Sequence, residues 1–190
     1  HDLAYIHRLC FDNGDAVTQK QFEKFWLWFG PTLHKIRYQR HLCPLWRSGK
    51  ILGFLTRAES EHLLLQTRSA GAFLLRFSER VAGQFAVSYV VHTSGRGGGA
   101  AGGNDELLVK HYLMRDTDTA GAKKTLPDFL RGYTEFQSLM ALATASDADD
   151  YGGGEQRRYE TVVKDDALRS FYSKRPTDRA FNGYEDLISP

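Results

Sequence analysis

The stretch "GAFLLRFSER", residues 71–80, sets an arginine in the middle of a run that otherwise reads as a buried strand. Alternate residues of a strand share a face. Arg76 and Ser78 therefore point one way with Leu74 behind them, while Phe73, Leu75 and Phe77 fill the other face. A guanidinium in such company is costly unless an anion meets it. Its planar fork suits a phosphate, which it can grip through two oxygens. Ser78 adds a hydroxyl, and Ser78-Glu79-Arg80 enters a turn whose backbone N–H groups can converge on the same anion. These ten residues leave three readings open: a carboxylate of the same chain pairs with Arg76, the side chain snorkels at a strand end, or an external anion binds there.

Upstream of this strand, Thr56 and Glu59 form a capping box that opens a helix through "RAESEHLLL". Downstream, the pattern predicts strands over 84–92 and 107–114, joined by "SGRGGGAAGGND", a flexible connection by composition. No GK[ST] follows these glycines and no helix opens there, so they are not a phosphate-binding loop. Another helix begins at "TLPDFL", capped by Thr125 and Asp128, with Pro127 tolerated in the first turn. Leu126, Phe129, Leu130 and Tyr133 give it an inward face. "ASDADDYGGGEQ" then reads as a surface linker, and the remainder as a partly ordered tail. Helix, antiparallel strands, helix is the order of an α+β sandwich, one central antiparallel sheet flanked by two helices.

An all-helical block precedes it, over roughly residues 18–42. Thr18 and Gln21 form its capping box, and Val17 is placed to staple against Phe22. Phe22, Phe25, Trp26 and Phe29 recur at helical spacing as an apolar stripe. Gly30-Pro31 is expected to break this helix, Pro31 to open the next, and Pro44 to close that one. "FDNGDA", just upstream, lacks the ligand spacing of a calcium loop and reads as a turn.

The 190 residues are 42% hydrophobic and carry a formal net charge of only +2, which argues against a general polyanion binder. From Ser146 onward ten acidic side chains face seven basic ones, a mildly acidic tail behind a mildly basic body. Cys10 and Cys43 have no metal-type spacing and read as reduced packing cysteines. No apolar run is long enough for a membrane span, and the N-terminus lacks a signal peptide's order. The chain starts without methionine and is expected to be a piece of a longer protein.

"PLWRSGKILGFLTRAESEHLL", "GAFLLRFSER", "GQFAVSYV", "LVKHYLM" and "LPDFLRGY", in this order, resemble a Src-homology-2 (SH2) domain over roughly residues 46–143. "FWLWFGPTLHKIRYQRHLCPLW" is similar to the linker that precedes this domain in the STAT family, the signal transducers and activators of transcription. "KDDALRSFYS" and "NGYEDLIS" resemble that family's post-domain segment ending in its activating tyrosine. The resemblance implies three parts: a helical linker domain over 1–45, an SH2 domain over 46–145, and a tail over 146–190 bearing a phosphotyrosine. It implies that Arg76 binds phosphate, that Ser78, Glu79 and Arg80 complete the pocket, and that Arg57 makes a second basic contact. His111, in "VKHY", falls where many SH2 domains set a histidine beside the phosphotyrosine ring. By local pattern alone, Arg57 is a solvated helix residue and His111 an ordinary strand histidine.

Tyr184, after Asn182-Gly183, matches the family's activating tyrosine; Tyr151, in "DADDYGGG", is the second choice, and Tyr159 and Tyr172 are expected to pack on the domain. The implied partner is a phosphotyrosine peptide, or the tail of a second copy in a homodimer formed on phosphorylation. From an anchor near Ser173, eleven residues extend at most about 36–40 Å, so length alone permits docking in cis. A tyrosine kinase or receptor would act upstream, DNA would be met only through parts outside this chain, and the family pattern is cytoplasmic with movement to the nucleus on activation. The alternative is an adaptor that captures phosphotyrosines of other proteins. No nucleophile–base motif, metal spacing or kinase signature is present, so neither catalysis nor a cofactor or metal is expected.

Overall fold

A computed structural model describes residues 6, 11, 16–93, 106–119, 124–143 and 158–173. The first helix, α1 (Gln19–Tyr38), opens on the expected capping box of Thr18 and Gln21. Val17 and Phe22 remain 43% and 52% exposed, so a staple between them adds little burial. Gly30-Pro31 does not end this helix, which runs through Pro31 to Tyr38. An internal proline costs about 3 kcal/mol; here Phe29, Thr32 and Ile36 are buried on either side of it, which keeps the segment helical. The chain turns instead at His41, in a left-handed conformation, and Pro44 then lies inside α2 (Leu42–Arg47) rather than closing the preceding helix. Near the start of a helix the missing N–H costs little, since those donors have no intrahelical partner.

Helix α3 (Arg57–Gln66) carries the predicted capping box of Thr56 and Glu59. Three strands follow near their predicted places: β1 (Ala72–Phe77), β2 (Phe85–Thr93) and β3 (Glu106–Leu113). A short helix α4 (Asp116–Thr119) precedes α5 (Leu126–Arg131), whose cap is the Thr125–Asp128 box. The sheet has five strands rather than three. β4 (Ser138–Leu142) pairs parallel to β1, and β5 (Tyr159–Val163) pairs antiparallel to β4, in the order β3-β2-β1-β4-β5. Helix α6 (Lys164–Leu168) and a 3₁₀ turn over Arg169–Phe171 complete the described chain. The glycine-rich stretch 94–105, the acidic stretch 144–157, and both Tyr151 and Tyr184 lie outside the described residues.

β1 is buried along its whole length and separates two apolar layers. Phe73, Leu75 and Phe77 join Phe29, Ile36, Leu42 and Leu45 of the helical block, Leu126 and Leu130 of α5, and Leu168 of α6. On the other face Ala72 and Leu74 pack with Leu64 of α3, Val90 and Val109. The expected two-faced strand is thus observed. The helical block and the sheet share one core layer, so α1 acts as a wall against the sheet.

Candidate functional site

Arg76 lies on the α3 side of the sheet, opposite Ala86 in the β1–β2 register. Ser88 is opposite Leu74 on one side and His111 on the other, so Arg76, Ser88 and His111 occupy one corner of the sheet surface. The small Ala86 beside Arg76 leaves the long side chain room to lie across the strand. Arg76 is only 5% exposed. Its Nη1 donates to the Phe77 carbonyl at 3.1 Å, and its Nε reaches Ser88 Oγ at 3.5 Å. Burial pulls the guanidinium below the usual arginine range, with Glu79 acting in the opposite direction.

The nearest anion belongs to the same chain. Glu79 Oε2 stands 3.5 Å from Arg76 Nη1, beyond the 2.7–2.9 Å or so of a strong charge-assisted bond. The same oxygen accepts from the Arg57 backbone N–H at 3.0 Å. This puts Glu79 at the N-terminus of α3, where negative charge is favoured by the unpaired amides. Of the readings open at the outset, the same-chain carboxylate is therefore met in part. Glu79 is 44% exposed, tethered elsewhere, and long in its approach to Arg76.

Arg57 and His111 are drawn into the same corner by Glu61. Its Oε1 accepts from Arg57 Nε at 3.0 Å and lies 2.9 Å from His111 Nε2. His111 Nδ1 is 2.8 Å from Ser88 Oγ, which links the histidine to Arg76. Burial lowers the His111 pKa below the ordinary imidazole value, against the pull of Glu61. A neutral ring then donates from Nε2 to Glu61 and accepts at Nδ1 from the Ser88 hydroxyl. The hydrogen bonds from Arg57 and His111 hold the Glu61 carboxyl low and ionised.

The turn after β1 is anchored from the helical block. Trp28 of α1 donates its indole N–H to the Ser78 carbonyl at 2.8 Å. Gly83, at a φ of +72°, packs so close to Pro31 that a Cβ would come within 2.9 Å of its ring, and glycine alone meets both demands cheaply. Ser78 is buried; its amide donates to the Gln84 carbonyl and its hydroxyl accepts from Val81 N. One of the three amides expected to face an anion is thus spent inside the turn. The amides of Glu79 and Arg80 donate to nothing among the described residues, and the exposed Arg80 side chain has no ion pair there.

Arg57, Arg76, Glu79 and His111 are therefore brought together, Ser78 shapes the turn beside them, and Arg80 stands at its edge. Glu61 and Ser88 are the members that sequence reading missed. The Arg57–Glu61 spacing of four on a helix was the available signal; the pairing of Ser88 with His111 needs the strand register. A cavity of about 500 Å³ lies between α2 and α6, lined by Pro44, Lys50, Glu160 and Phe171, away from this corner.

A central sheet with a buried arginine on its α3 side, flanked by helices, is the arrangement of an SH2 domain, and the model of that family, "SH2 domain", matches residues 51–144. A second, "EF-hand fold domain", matches residues 1–39. Among the described residues no three acidic, histidine or cysteine side chains gather to hold a metal, and 12–15 lie outside them. The chain is 39% identical to signal transducer and activator of transcription A of Dictyostelium discoideum over 189 residues, all of this chain and 24% of that protein. It is 32% identical to signal transducer and activator of transcription B of the same organism, over 99% of this chain and 17% of the relative. With signal transducer and activator of transcription 4 of Homo sapiens it shares 32% identity over 84% of its length and 19% of that protein. The chain belongs to the signal transducer and activator of transcription family. It spans about a quarter or less of the curated relatives it matches.

Proposed function

We propose that this chain is a phosphotyrosine-binding module whose dimerisation is switched by phosphorylation, with Arg76 holding the phosphorylated Tyr184 of a second copy. The observation that carries this reading is a guanidinium buried mid-sheet whose one ion pair among the described residues is long, in a chain whose SH2 match covers that strand. A phosphate dianion brings about −1.5 to −2 charges and three acceptor oxygens. Arg76 and Arg57 face it from strand and helix, the amides of Glu79 and Arg80 from the turn, and His111 lies against the ring; Ser78 holds the turn in shape and Arg80 adds long-range attraction. An unmodified phenol offers none of that charge, so binding before phosphorylation is weak and the switch follows.

Ser173, the last described residue, is fastened to α5: its amide and hydroxyl donate to Asp128 at 2.8 and 2.7 Å. In the sequence Ser173 stands eleven residues before Tyr184. Exchange of tails between two copies makes a twofold pair in which the first docking raises the effective concentration for the second. Specificity beyond the phosphate falls to Glu185, Asp186 and Leu187, with Leu187 as apolar anchor. The three-part division into linker, SH2 domain and tail, action downstream of a tyrosine kinase, and passage from cytoplasm to nucleus belong to the same reading. DNA contact is assigned to parts outside this chain.

Light scattering on the kinase-treated chain tests the pairing. The phosphorylated protein is expected to have twice the monomer mass, and Tyr184→Phe to remain monomeric after the same treatment. A Tyr184→Phe chain that still dimerises overturns the assignment of the tyrosine. A phosphorylated monomer that binds foreign phosphopeptides supports an adaptor instead.

A further inference from the structure

The sheet ends at β5, and among the described residues nothing pairs with its outer side. Val162 is opposite Leu139 of β4, and Glu160 opposite Ala141. The flanking bonds, Lys164 N to the Gln137 carbonyl and Ala143 N to the Arg158 carbonyl, set the alternation of this antiparallel ladder. Residues 158, 160, 162 and 164 bond inward to β4, so the amides of Tyr159, Thr161 and Val163 point to the open edge. Native edge strands are commonly blunted by proline or lysine or covered by another element. β5 reads "YETVV", with neither residue, and Val163 is 58% exposed.

A recess adjoins the same strand. The cavity between α2 and α6 is lined by Val162 and Glu160 of β5, by Ala167 and Phe171 beyond it, and by Asp166 and Lys50. Asp166 lies in the first turn of α6, where a carboxylate is favoured. Glu160 has no such local reason, and it forms no ion pair among the described residues. Lys50 donates instead to Ser48 Oγ at 3.2 Å. An apolar recess and an unpaired carboxylate thus stand beside an open row of backbone donors and acceptors.

We propose that β5 is a docking edge for an extended peptide strand of a partner protein, one in which a bulky apolar residue stands two positions from a basic one. Main-chain bonds to an edge strand give affinity, and pockets for alternate side chains give specificity. Residues two apart on a strand share a face. A strand paired with β5 therefore sets its basic side chain across from Glu160 and its apolar one across from Val162, at the cavity, and cross-strand pairs of both kinds are stabilising. β4 lies between β5 and the strand that bears Arg76, so this edge works independently of the phosphate site.

The test uses fluorescence anisotropy on the 190-residue chain with a labelled threonine-rich peptide bearing lysine, phenylalanine and lysine at alternate positions, an order that suits either strand direction. The unaltered chain is expected to bind it. Thr161→Pro is expected to abolish binding: the N–H it removes points outward, a position where an edge strand tolerates proline. Glu160→Lys is expected to weaken binding about fivefold, the size that one exposed charge pair allows. Circular dichroism checks that both variants fold. In the unaltered chain, bound peptide is expected to slow hydrogen exchange at the amides of Tyr159, Thr161 and Val163, while those of Glu160 and Val162, already bonded to β4, change little. Equal affinity in a folded Thr161→Pro variant, protection without that alternation, or no binding at about 1 mM peptide overturns the proposal. So does an unphosphorylated chain that pairs in light scattering and becomes monomeric as Thr161→Pro, which would make a second copy the occupant.

Discussion

Arg76 is tolerated at 5% exposure because three groups share its donors or charge: the Phe77 carbonyl, Ser88 Oγ and, at a distance, Glu79. None of them neutralises it fully, which leaves a reason for an incoming anion to bind. In the proposed site His111 reports on that arrival. Its pKa lies below 6.5 in the free chain, first because of burial, and a phosphate dianion beside it opposes that shift. Histidine-resolved NMR titration is expected to show the His111 pKa rising when a phosphotyrosine peptide is added; an unmoved value would count against the imidazole lying near the phosphate. The same depressed pKa has a consequence for stability. The unfolded chain takes up the proton more readily than the folded one, so stability from this group is present above about pH 6.5 and is lost as pH falls through the folded value. His41, lowered by burial and by Arg40, acts with the same sign. At this scale the sequence was readable where a rule is local: the period of two on β1 put Arg76 and Leu74 on one face. Glu61 and Ser88 were not, because their roles come from contacts across 50 and 23 positions of the chain.

Capping boxes at Thr18, Thr56 and Thr125 located three helix starts from the sequence, since each uses only residues three apart. Proline misled in both places where tertiary packing decides. Pro31 stays inside α1 because Gly83 seats against it and the neighbouring residues are buried, and Pro44 lies in the first turn of α2. β4 escaped notice because "SLMAL" is a short apolar run without alternation, which fits a buried strand or a helix equally. Its parallel partner, β1, cannot be inferred from its own residues. The helical block reaches the candidate site through α1. Trp28 ties it to the Ser78 carbonyl, so the helical block helps hold the turn at the site. Trp28→Phe keeps most of the ring packing and deletes the donor. Loss of a half-buried hydrogen bond costs about 1 kcal/mol, to be read by urea denaturation, together with a several-fold fall in phosphopeptide affinity by anisotropy. A folded variant with unaltered affinity would detach α1 from the site.

Across the whole molecule, one core layer joins the helical block, the sheet and the segment from Tyr159 to Phe171. The SH2 class and the family resemblance were legible because their motifs are contiguous words. The fifth strand and its helix were not, because they belong to a segment whose composition reads as tail and whose burial depends on pairing with β4. Ser173, the last described residue, is pinned to Asp128. The most direct measurement is isothermal titration calorimetry of the chain with a peptide of residues 178–190 phosphorylated on Tyr184. The account predicts binding that disappears on Arg76→Ala and falls at least about tenfold on Arg76→Lys, since an ammonium cannot form the two-pronged contact. Equal affinity in the unaltered chain and a folded Arg76→Ala variant would contradict it.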